Sequence, residues 1–489
     1  MNRHGDRSVG GKMEVSLAPL KTKLVCTLGP SSRDIETLKK MAESGMDVAR
    51  INSGHSEVEE IRDYIDLVGK AGKAANKRVA VMLDLQGPRL RVGPIDGGSV
   101  ELEPGQEFTI STVRKVGDHT GVYVAYDGLT NDLQPGQLVL MDDGLIRVRI
   151  KEIAPPDVKC EVLEGGTLLQ GKGMNFPDSK LNLAAFTDRD RTYLEAGLSS
   201  GIDWVAQSFV RSAADVQGLI QAMEELGKRV PVMAKIEKSE AVDNIGEILE
   251  VADGIMVARG DLGVEMEAEE VPIVQKELID KAVHAALPVV TATQMLESMV
   301  NKPRPTRAEA SDVANAILDG SDALMLSAET SIGEYPVQCV EMMARIAVKV
   351  ERVIDYSGIL ESRGKWSHQG VADAIGYAAC KIAADLKAKA IITMTRSGYT
   401  ARLVSRYRPE SRIIAVSPND NVVDAMSLLW GVEAVKVPHS HQLKEMIEEA
   451  TNACSRECLI ARGDLVVVTG GFFDEESSRT NVVHVHTVR

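Results

Sequence analysis

The chain has 489 residues, with 56 Lys+Arg against 71 Asp+Glu and a formal net charge of −15. A surface that acidic repels phosphate polyanions, which argues against a general nucleic-acid binder. An apolar content of 44% suits large soluble cores, at roughly three domains of about 150 residues each. No uninterrupted apolar run approaches the ~20 residues that span a bilayer.

In chain order, residues 1–18 carry charges but no apolar core segment. They read as a disordered lead-in rather than a secretory signal, with Met13 as an alternative start. From Lys23 onward, short apolar β-branched runs alternate with longer amphipathic stretches. The runs are Lys23–Thr27, Val48–Asn52, Val79–Asp84, Trp204–Phe209, Val232–Ile236, Gly254–Ala258, Pro288–Thr293 and Ala323–Ser327. Helical patterns such as Asp34–Glu43 and Ala310–Leu318 separate them. Continuous apolar strands suit a parallel sheet covered on both faces. Eight of them predict a closed (β/α)8 catalytic barrel over residues 19–87 and 178–350. Its active site then lies at the C-terminal ends of the strands.

Between the third and fourth runs the texture changes. VELEPGQEFTI, GVYVAYDGL, GQLVLMDDGLIRVRIKEI and VKCEVLEGG are short, alternating and bounded by Gly, Pro and Asp. They predict an inserted all-β lid over residues 88–177, hinged at Gly87-Pro88 and at Asn175-Phe176-Pro177. A lid over a barrel mouth suits chemistry that must exclude water. Residues 351–489 resume the alternation, with AIITMT, RIIAVS, AVKVP, DLVVVTG and NVVHVHTV as strands and 372–386 and 443–458 as helices. They predict a C-terminal doubly wound α/β domain.

Six cysteines, Cys26, Cys160, Cys339, Cys380, Cys454 and Cys458, form no C-x-x-C pair. Cys454 and Cys458 are spaced to share a helix face, more simply as core than as a metal site. His484 and His486 alternate in a strand pattern and read as structural. A thiol-reduced cytoplasmic protein is expected.

The strand ends deliver polar groups to one rim: Arg50-Ile51-Asn52, Asp84, Lys235-Ile236-Glu237, Arg259-Gly260-Asp261, Thr293-Gln294 and Ser327-Ala328-Glu329. Any one alone has an ordinary reading: a surface ion pair for Lys-x-Glu, a turn for Arg-Gly-Asp. Six charged or polar ends among eight strands do not. Glu237 and Asp261, with oxygen-only company, suit a hard cation such as magnesium. Arg50 and Lys235 beside them suit a transferring phosphoryl group. Gly260 allows close backbone approach to a ligand.

Longer stretches carry a resemblance. KTKLVCTLGPSS, ARIN, GKGMNFP, VPVMAKIEKSEAVDN, IMVARGDLGVE, TATQMLESM and KPRPTRAEASDVANAILDGSDALMLSAET are similar to pyruvate kinase, over roughly residues 20–489. The resemblance implies magnesium-dependent phosphoryl transfer from phosphoenolpyruvate to ADP, with manganese as a substitute. Lys235 matches the lysine that stabilises the phosphoryl group in flight, and Arg50 the arginine that grips it. Glu237 and Asp261 match the metal ligands. The Gly260 and Asp261 amides and the Thr293 hydroxyl match the cradle for the substrate carboxylate. Protonation of the enolate is assigned to water near Thr293 and Ser327. Asn52, His55, Arg91 and Lys172 match the nucleotide side.

Some positions depart from the family. Asn52 is followed by Ser53-Gly54-His55-Ser56 where N-F-S-H-G is usual. Asp84-Leu85-Gln86-Gly87-Pro88-Arg89 replaces D-T-K-G-P-E, and Ser331-Ile332-Gly333 loses a nucleotide-side cation. The monovalent-cation position falls on Asn52, Gly54, Asp84 and Leu85, with Gly54 and Leu85 lacking the side-chain oxygens of the serine and threonine usual there. Arg89 stands where potassium-dependent members carry glutamate. Leu85, Gln86, Arg89 and Val92 resemble the potassium-independent branch, so potassium is not expected to be required. The resemblance further implies a homotetramer and an effector phosphate at the turn holding Thr393, Thr395, Arg396, Ser397, Gly398 and Thr400. The acidic stretch from Gly471 to Glu476 favours a sugar monophosphate or a nucleotide there. Two other readings remain open: a magnesium-dependent lyase or aldolase acting on a pyruvate enolate, and a non-catalytic metabolite sensor.

Overall fold

The computed structural model describes residues 20–366, 370–440, 442–471 and 480–489. The lead-in over 1–18 and the acidic stretch at 472–476 lie outside the described residues. Eight strands form the barrel: β1 Lys23–Thr27, β2 Met46–Asn52, β3 Ala80–Leu85, β4 Trp204–Gln207, β5 Val232–Ile236, β6 Gly254–Ala258, β7 Val289–Ala292 and β8 Ala323–Leu326. They close in sequence order, each parallel to its neighbours. Seven of the eight are buried at every position, which is why they read as unbroken apolar runs.

Three strands stop short of their predicted ends, β8 by one residue at Leu326. β4 ends at Gln207 and β7 at Ala292 because Phe209 and Thr293 take φ of +57° and +71°, outside the extended region. Local signals set the helix starts. Asp34 accepts from the Thr37 amide ahead of Ile35–Ser44, and Thr306 forms a capping box with Glu309 ahead of Arg307–Asp319. Leu38, Met41, Val216, Leu219, Val313 and Ile317 line the shell between helices and strands. A second cluster, including Val25, Met82, Trp204, Met256 and Met325, fills the barrel interior and takes in Leu428 from the C-terminal domain.

The insertion after β3 has its own core around Phe108, Val122, Val139, Val148, Val162 and Phe176. Its main sheet has six strands, from Glu107–Ser111 to Met174–Asn175. The C-terminal sheet has five strands ordered Val432–Lys436, Arg412–Ser417, Ala390–Met394, Leu465–Gly471 and Thr480–Thr487, the last antiparallel. Cys454 is buried on helix Leu443–Arg456, whereas Cys458 lies beyond it with φ +57° and is exposed, so the two do not share a face.

One carboxylate joins the two large domains. Asp322, just before β8, accepts from Val289 N at 3.0 Å, from Trp430 N at 3.2 Å and from Arg408 Nη1 at 2.8 Å. Nearby, Arg406 bonds the His284 carbonyl at 3.1 Å and Asp373 at 3.0 Å.

Candidate active site

Three strand ends, those of β2, β3 and β5, build the charged floor of the barrel mouth. Arg50, at the end of β2, donates from Nε to Asp84 Oδ2 at 2.6 Å and from Nη1 to Thr27 Oγ1 at 2.9 Å. Lys235, on β5, lies 3.4 Å from Asp84 Oδ1 and 2.7 Å from Glu237 Oε1, and donates to Ser208 Oγ at 2.6 Å. Arg50, Asp84, Lys235 and Glu237 are all buried. Alternation along the strand end points Lys235 and Glu237 the same way, so the i, i+2 spacing becomes a contact.

Burial disfavours the charged forms of Asp84, Lys235 and Glu237, and their neighbours offset it to different extents. At Asp84 burial opposes ionisation, but Arg50 and Lys235 outweigh it and hold the carboxyl below its usual range. Burial also works against the Lys235 ammonium, and Asp84 and Glu237 reverse it, raising the lysine above its usual value. Glu237 goes the other way. Burial and the neighbouring Asp261 carboxylate push it up, against Lys235 and the Phe209 amide that bonds its Oε2 at 2.8 Å.

The opposite wall is backbone. Gly260 N donates to Thr293 Oγ1 at 2.8 Å, and that hydroxyl donates to the Ala292 carbonyl at 2.6 Å. Glu329, fully buried, accepts from Leu296 N at 3.0 Å and from Ser327 N at 2.7 Å, which fixes the ends of β7 and β8 relative to each other. Ser327 Oγ is buried without a hydrogen-bond partner. The lid and barrel flank a cleft of ≈ 700 Å³ lined by residues including Arg89, Asn175, Phe176, Phe209, Lys238 and Asp261. Glu265 ties lid to barrel: Asn175 donates to its Oε1 at 3.2 Å and Lys238 at 2.6 Å.

The structure thus brings Arg50, Asp84, Lys235 and Glu237 into one cluster, with Asp261 close enough to repel Glu237, and Gly260 against Thr293. It does not bring Arg91 and Lys172 into that cluster. Arg91 bonds the Gly171 carbonyl at 2.9 Å, and Lys172 pairs with Asp142 at 2.7 Å, both inside the lid. His55 is held below its usual value by partial burial and by the Arg91, Arg89 and Arg50 guanidiniums. Asn52 Oδ1 accepts from Gly54 N at 3.0 Å, and Leu85 is buried. Arg89 is half-exposed, 3.8 Å from Asp143. Thr27, Ser208, Lys238, Glu265 and Asp312 were not singled out from sequence. The first two were within reach of the strand-end rule, since they sit at the ends of β1 and β4. The others are supplied by helices and loops, where no periodicity marks them.

In the C-terminal domain, Thr395, Arg396, Ser397 and Gly398 form the turn after Ala390–Met394. Gly398 has φ +80°, Thr400 meets Thr480 at 2.7 Å, and Arg396 Nη2 lies 3.0 Å from His439 Nε2. A pocket of ≈ 400 Å³ opens beside Thr395, Arg396 and His439.

Residues 20–340 match the model of the pyruvate kinase barrel domain, and residues 373–486 match that of the pyruvate kinase alpha/beta domain. A pyruvate kinase of Geobacillus stearothermophilus is 44% identical over 473 residues, covering 96% of this chain and 80% of that protein. One of Staphylococcus aureus is 42% identical over 470 residues with the same coverage. The crystal structure of a pyruvate kinase from Cryptosporidium parvum superposes with a TM-score of 0.90 at 36% identity, covering 96% of this chain and 97% of that one. With its barrel, inserted β module and C-terminal α/β domain in that order, the chain belongs to the pyruvate kinase family of phosphotransferases.

Proposed function

We propose that this chain transfers the phosphoryl group of phosphoenolpyruvate to ADP, giving pyruvate and ATP. The observation that carries the reading is the buried Lys235 ammonium, fixed at 2.7 Å from Glu237 and 3.4 Å from Asp84, with Arg50 on the far side of Asp84. Two oriented cations at a strand-end floor are preorganised for the charge on a phosphoryl group in flight. Arg50 grips the phosphoryl oxygens as they leave the enol oxygen, and Lys235 follows them toward ADP. The Gly260 and Asp261 amides and the Thr293 hydroxyl hold the substrate carboxylate. Ser327, a buried hydroxyl lacking a partner, is suited to pass a proton from water to the enolate carbon together with Thr293. Asn52, His55, Arg91 and Lys172 face the nucleotide, the last two arriving with the lid. A coupled assay with phosphoenolpyruvate and ADP tests the reading: steady ATP formation is expected, and a folded chain that forms none refutes it.

The residues fit magnesium. Glu237 and Asp261 repel each other, which a divalent cation relieves, and two carboxylates are the usual protein share of a magnesium site. Among the described residues no cluster of three or more His, Cys, Asp or Glu side chains could hold a metal ion, so Glu237 and Asp261 would supply two oxygens and water and substrate the rest. When bound, magnesium or manganese supplies fixed positive charge to the substrate oxygens.

Potassium is not required in this reading. At the matching position only Asn52 and Asp84 carry side-chain oxygens, Gly54 and Leu85 offer none, and two such side chains make a poor cage for a weakly held cation. A side chain at Gly54 would start 3.2 Å from both Asn52 Oδ1 and Gln86 Cδ, so a serine there would need Gln86 to give way. Arg89 replaces the field of the missing ion. Turnover is expected to be similar in sodium, potassium and a bulky organic cation at fixed ionic strength, and Arg89→Glu to lose activity. Manyfold stimulation by potassium is the contrary result.

The Thr395–Thr400 turn is proposed to bind the phosphate of a sugar monophosphate or nucleotide, at the start of helix Tyr399–Arg406. Such a ligand is expected to shift the phosphoenolpyruvate saturation curve, and Arg396→Ala to remove the shift while leaving the curve without ligand unchanged. A homotetramer rests on family membership alone. Residues 372–386 carry an apolar stripe that could also suggest a subunit contact, but on helix Val371–Asp385 Ala379, Cys380 and Ala383 pack inside their own domain. No helix among the described residues is long and apolar enough to cross a membrane. A cytoplasmic site of action is proposed on cysteine usage, with six cysteines that form no disulfide and five of them buried.

A further inference from the structure

Thr293 and Gln294 follow β7 with φ of +71° and +54°. Neither is glycine, and a side chain in this region costs on the order of 1 kcal/mol or more. Two in succession persist only where the surroundings over-determine the backbone. Much of that constraint comes from one side chain, Arg259, at the end of β6. Its Nη2 donates to the Thr293 carbonyl at 2.7 Å and to the Gln294 carbonyl at 3.3 Å, and its Nε reaches the Thr293 carbonyl at 3.3 Å. Its Nη1 is gripped by both Asp312 oxygens, at 2.7 and 2.9 Å. The next residue closes the loop, since Gly260 N donates to Thr293 Oγ1 at 2.8 Å. Arg259 is nearly buried, at 10% side-chain exposure.

We infer that Arg259 is a positioning residue for the substrate carboxylate. Aimed by Asp312, its guanidinium holds the Thr293–Gln294 turn against Gly260, so that the Thr293 hydroxyl and the amides at 260 and 261 form one cradle. The inference rests on the reading of that cradle under Proposed function. The cradle satisfies itself internally, with the Gly260 amide on the Thr293 hydroxyl. An arriving carboxylate must take over that amide, and the clamp keeps Thr293 in place while it does. Only a guanidinium has a fork that reaches two carbonyls and a carboxylate at once; a lysine keeps the charge toward Asp312 but loses the fork. The turn lies on the carboxylate side of the site, so the nucleotide side is left untouched.

The test uses the full chain with magnesium present. Oxalate, a planar dicarboxylate shaped like the pyruvate enolate, is titrated by calorimetry, and steady-state constants for phosphoenolpyruvate and ADP are measured separately. Arg259→Lys is expected to weaken oxalate binding and to lower kcat/KM for phosphoenolpyruvate by about 10²-fold, the usual scale of a small misplacement. The KM for ADP and the thermal midpoint stay unchanged, and Asp312→Asn shows the same split with smaller size. Arg259→Lys binding oxalate as tightly as the unmutated chain overturns the inference. Loss of oxalate, ADP and thermal midpoint together also overturns it, because that is a merely structural role. An unmutated chain that binds no oxalate instead overturns the cradle itself, and with it the functional reading.

Discussion

Lys235→Met is expected to cost both turnover and stability, and the two losses separate with pH. The methionine fills similar space but offers no ammonium to the phosphoryl group. Removing one preorganised charge partner typically lowers kcat by up to about 10³-fold, roughly 4 kcal/mol, and the loss of a central cation belongs at that end. The lysine also holds Asp84 and Glu237, both buried. Asp84 retains Arg50, but Glu237 loses its only cation at ion-pair distance among the described residues. Stranding a buried charge costs about 3 kcal/mol, and protonation relieves part of it. Glu237 already has a raised pKa from burial and Asp261, and loss of Lys235 raises it further. A folded-state pKa above the unfolded one means that the folded chain binds the extra proton. The stability it contributes is then present below the unfolded value and lost as pH rises through the folded one. The thermal deficit of Lys235→Met should therefore be larger at pH 8 than at pH 5.5, while turnover stays low at both. A folded variant with near-normal turnover would falsify the role of Lys235, and a deficit that shrinks as pH rises would contradict the account of Glu237.

Asp322→Ala should be among the most destabilising single changes outside the active site. It strands the Arg408 guanidinium at 4% side-chain exposure and leaves two buried amides, of Val289 and Trp430, without their acceptor. Removing one partner of such a pair costs about 3–5 kcal/mol, and each stranded amide adds about 1 kcal/mol or more. Because Asp322 joins the base of the barrel to the C-terminal domain, the loss should appear as an earlier, broader unfolding transition by circular dichroism. Asp66→Ala is the control. Its carboxylate pairs with Lys70 along an exposed helix face, at 64% side-chain exposure, and exposed pairs contribute less than about 1 kcal/mol. Equal shifts for the two variants would mean that Asp322 is not a structural tie between domains.

Most of the architecture was legible because barrel strands announce themselves locally. A strand buried on both faces must be apolar throughout, and eight such runs with helices between leave few arrangements. The strand-end rule then selected Arg50, Asp84, Lys235, Glu237, Asp261 and Thr293 before any distance was known. At Asp322 the same reasoning was silent, since one aspartate before an apolar run carries no signal of the arginine 86 positions later that it meets.

What the sequence by itself determined was the order of the domains, the class of each, and the residue types gathered at the barrel mouth. These depend on periodicity and on motif spacing, which are properties of neighbouring residues. What only the tertiary structure decided was how those residues are paired. Arg50 and Lys235 share Asp84, Arg91 and Lys172 stay with lid partners, and Arg259 holds a turn that its own motif, Arg259-Gly260-Asp261, does not reveal. The left-handed backbone at Thr293 and Gln294 belongs to the same class, because neither residue prefers it. The physical reason is that ion pairs and backbone strain are settled by groups far apart in the chain, in a buried setting where each charge must find a partner and each strained residue a clamp.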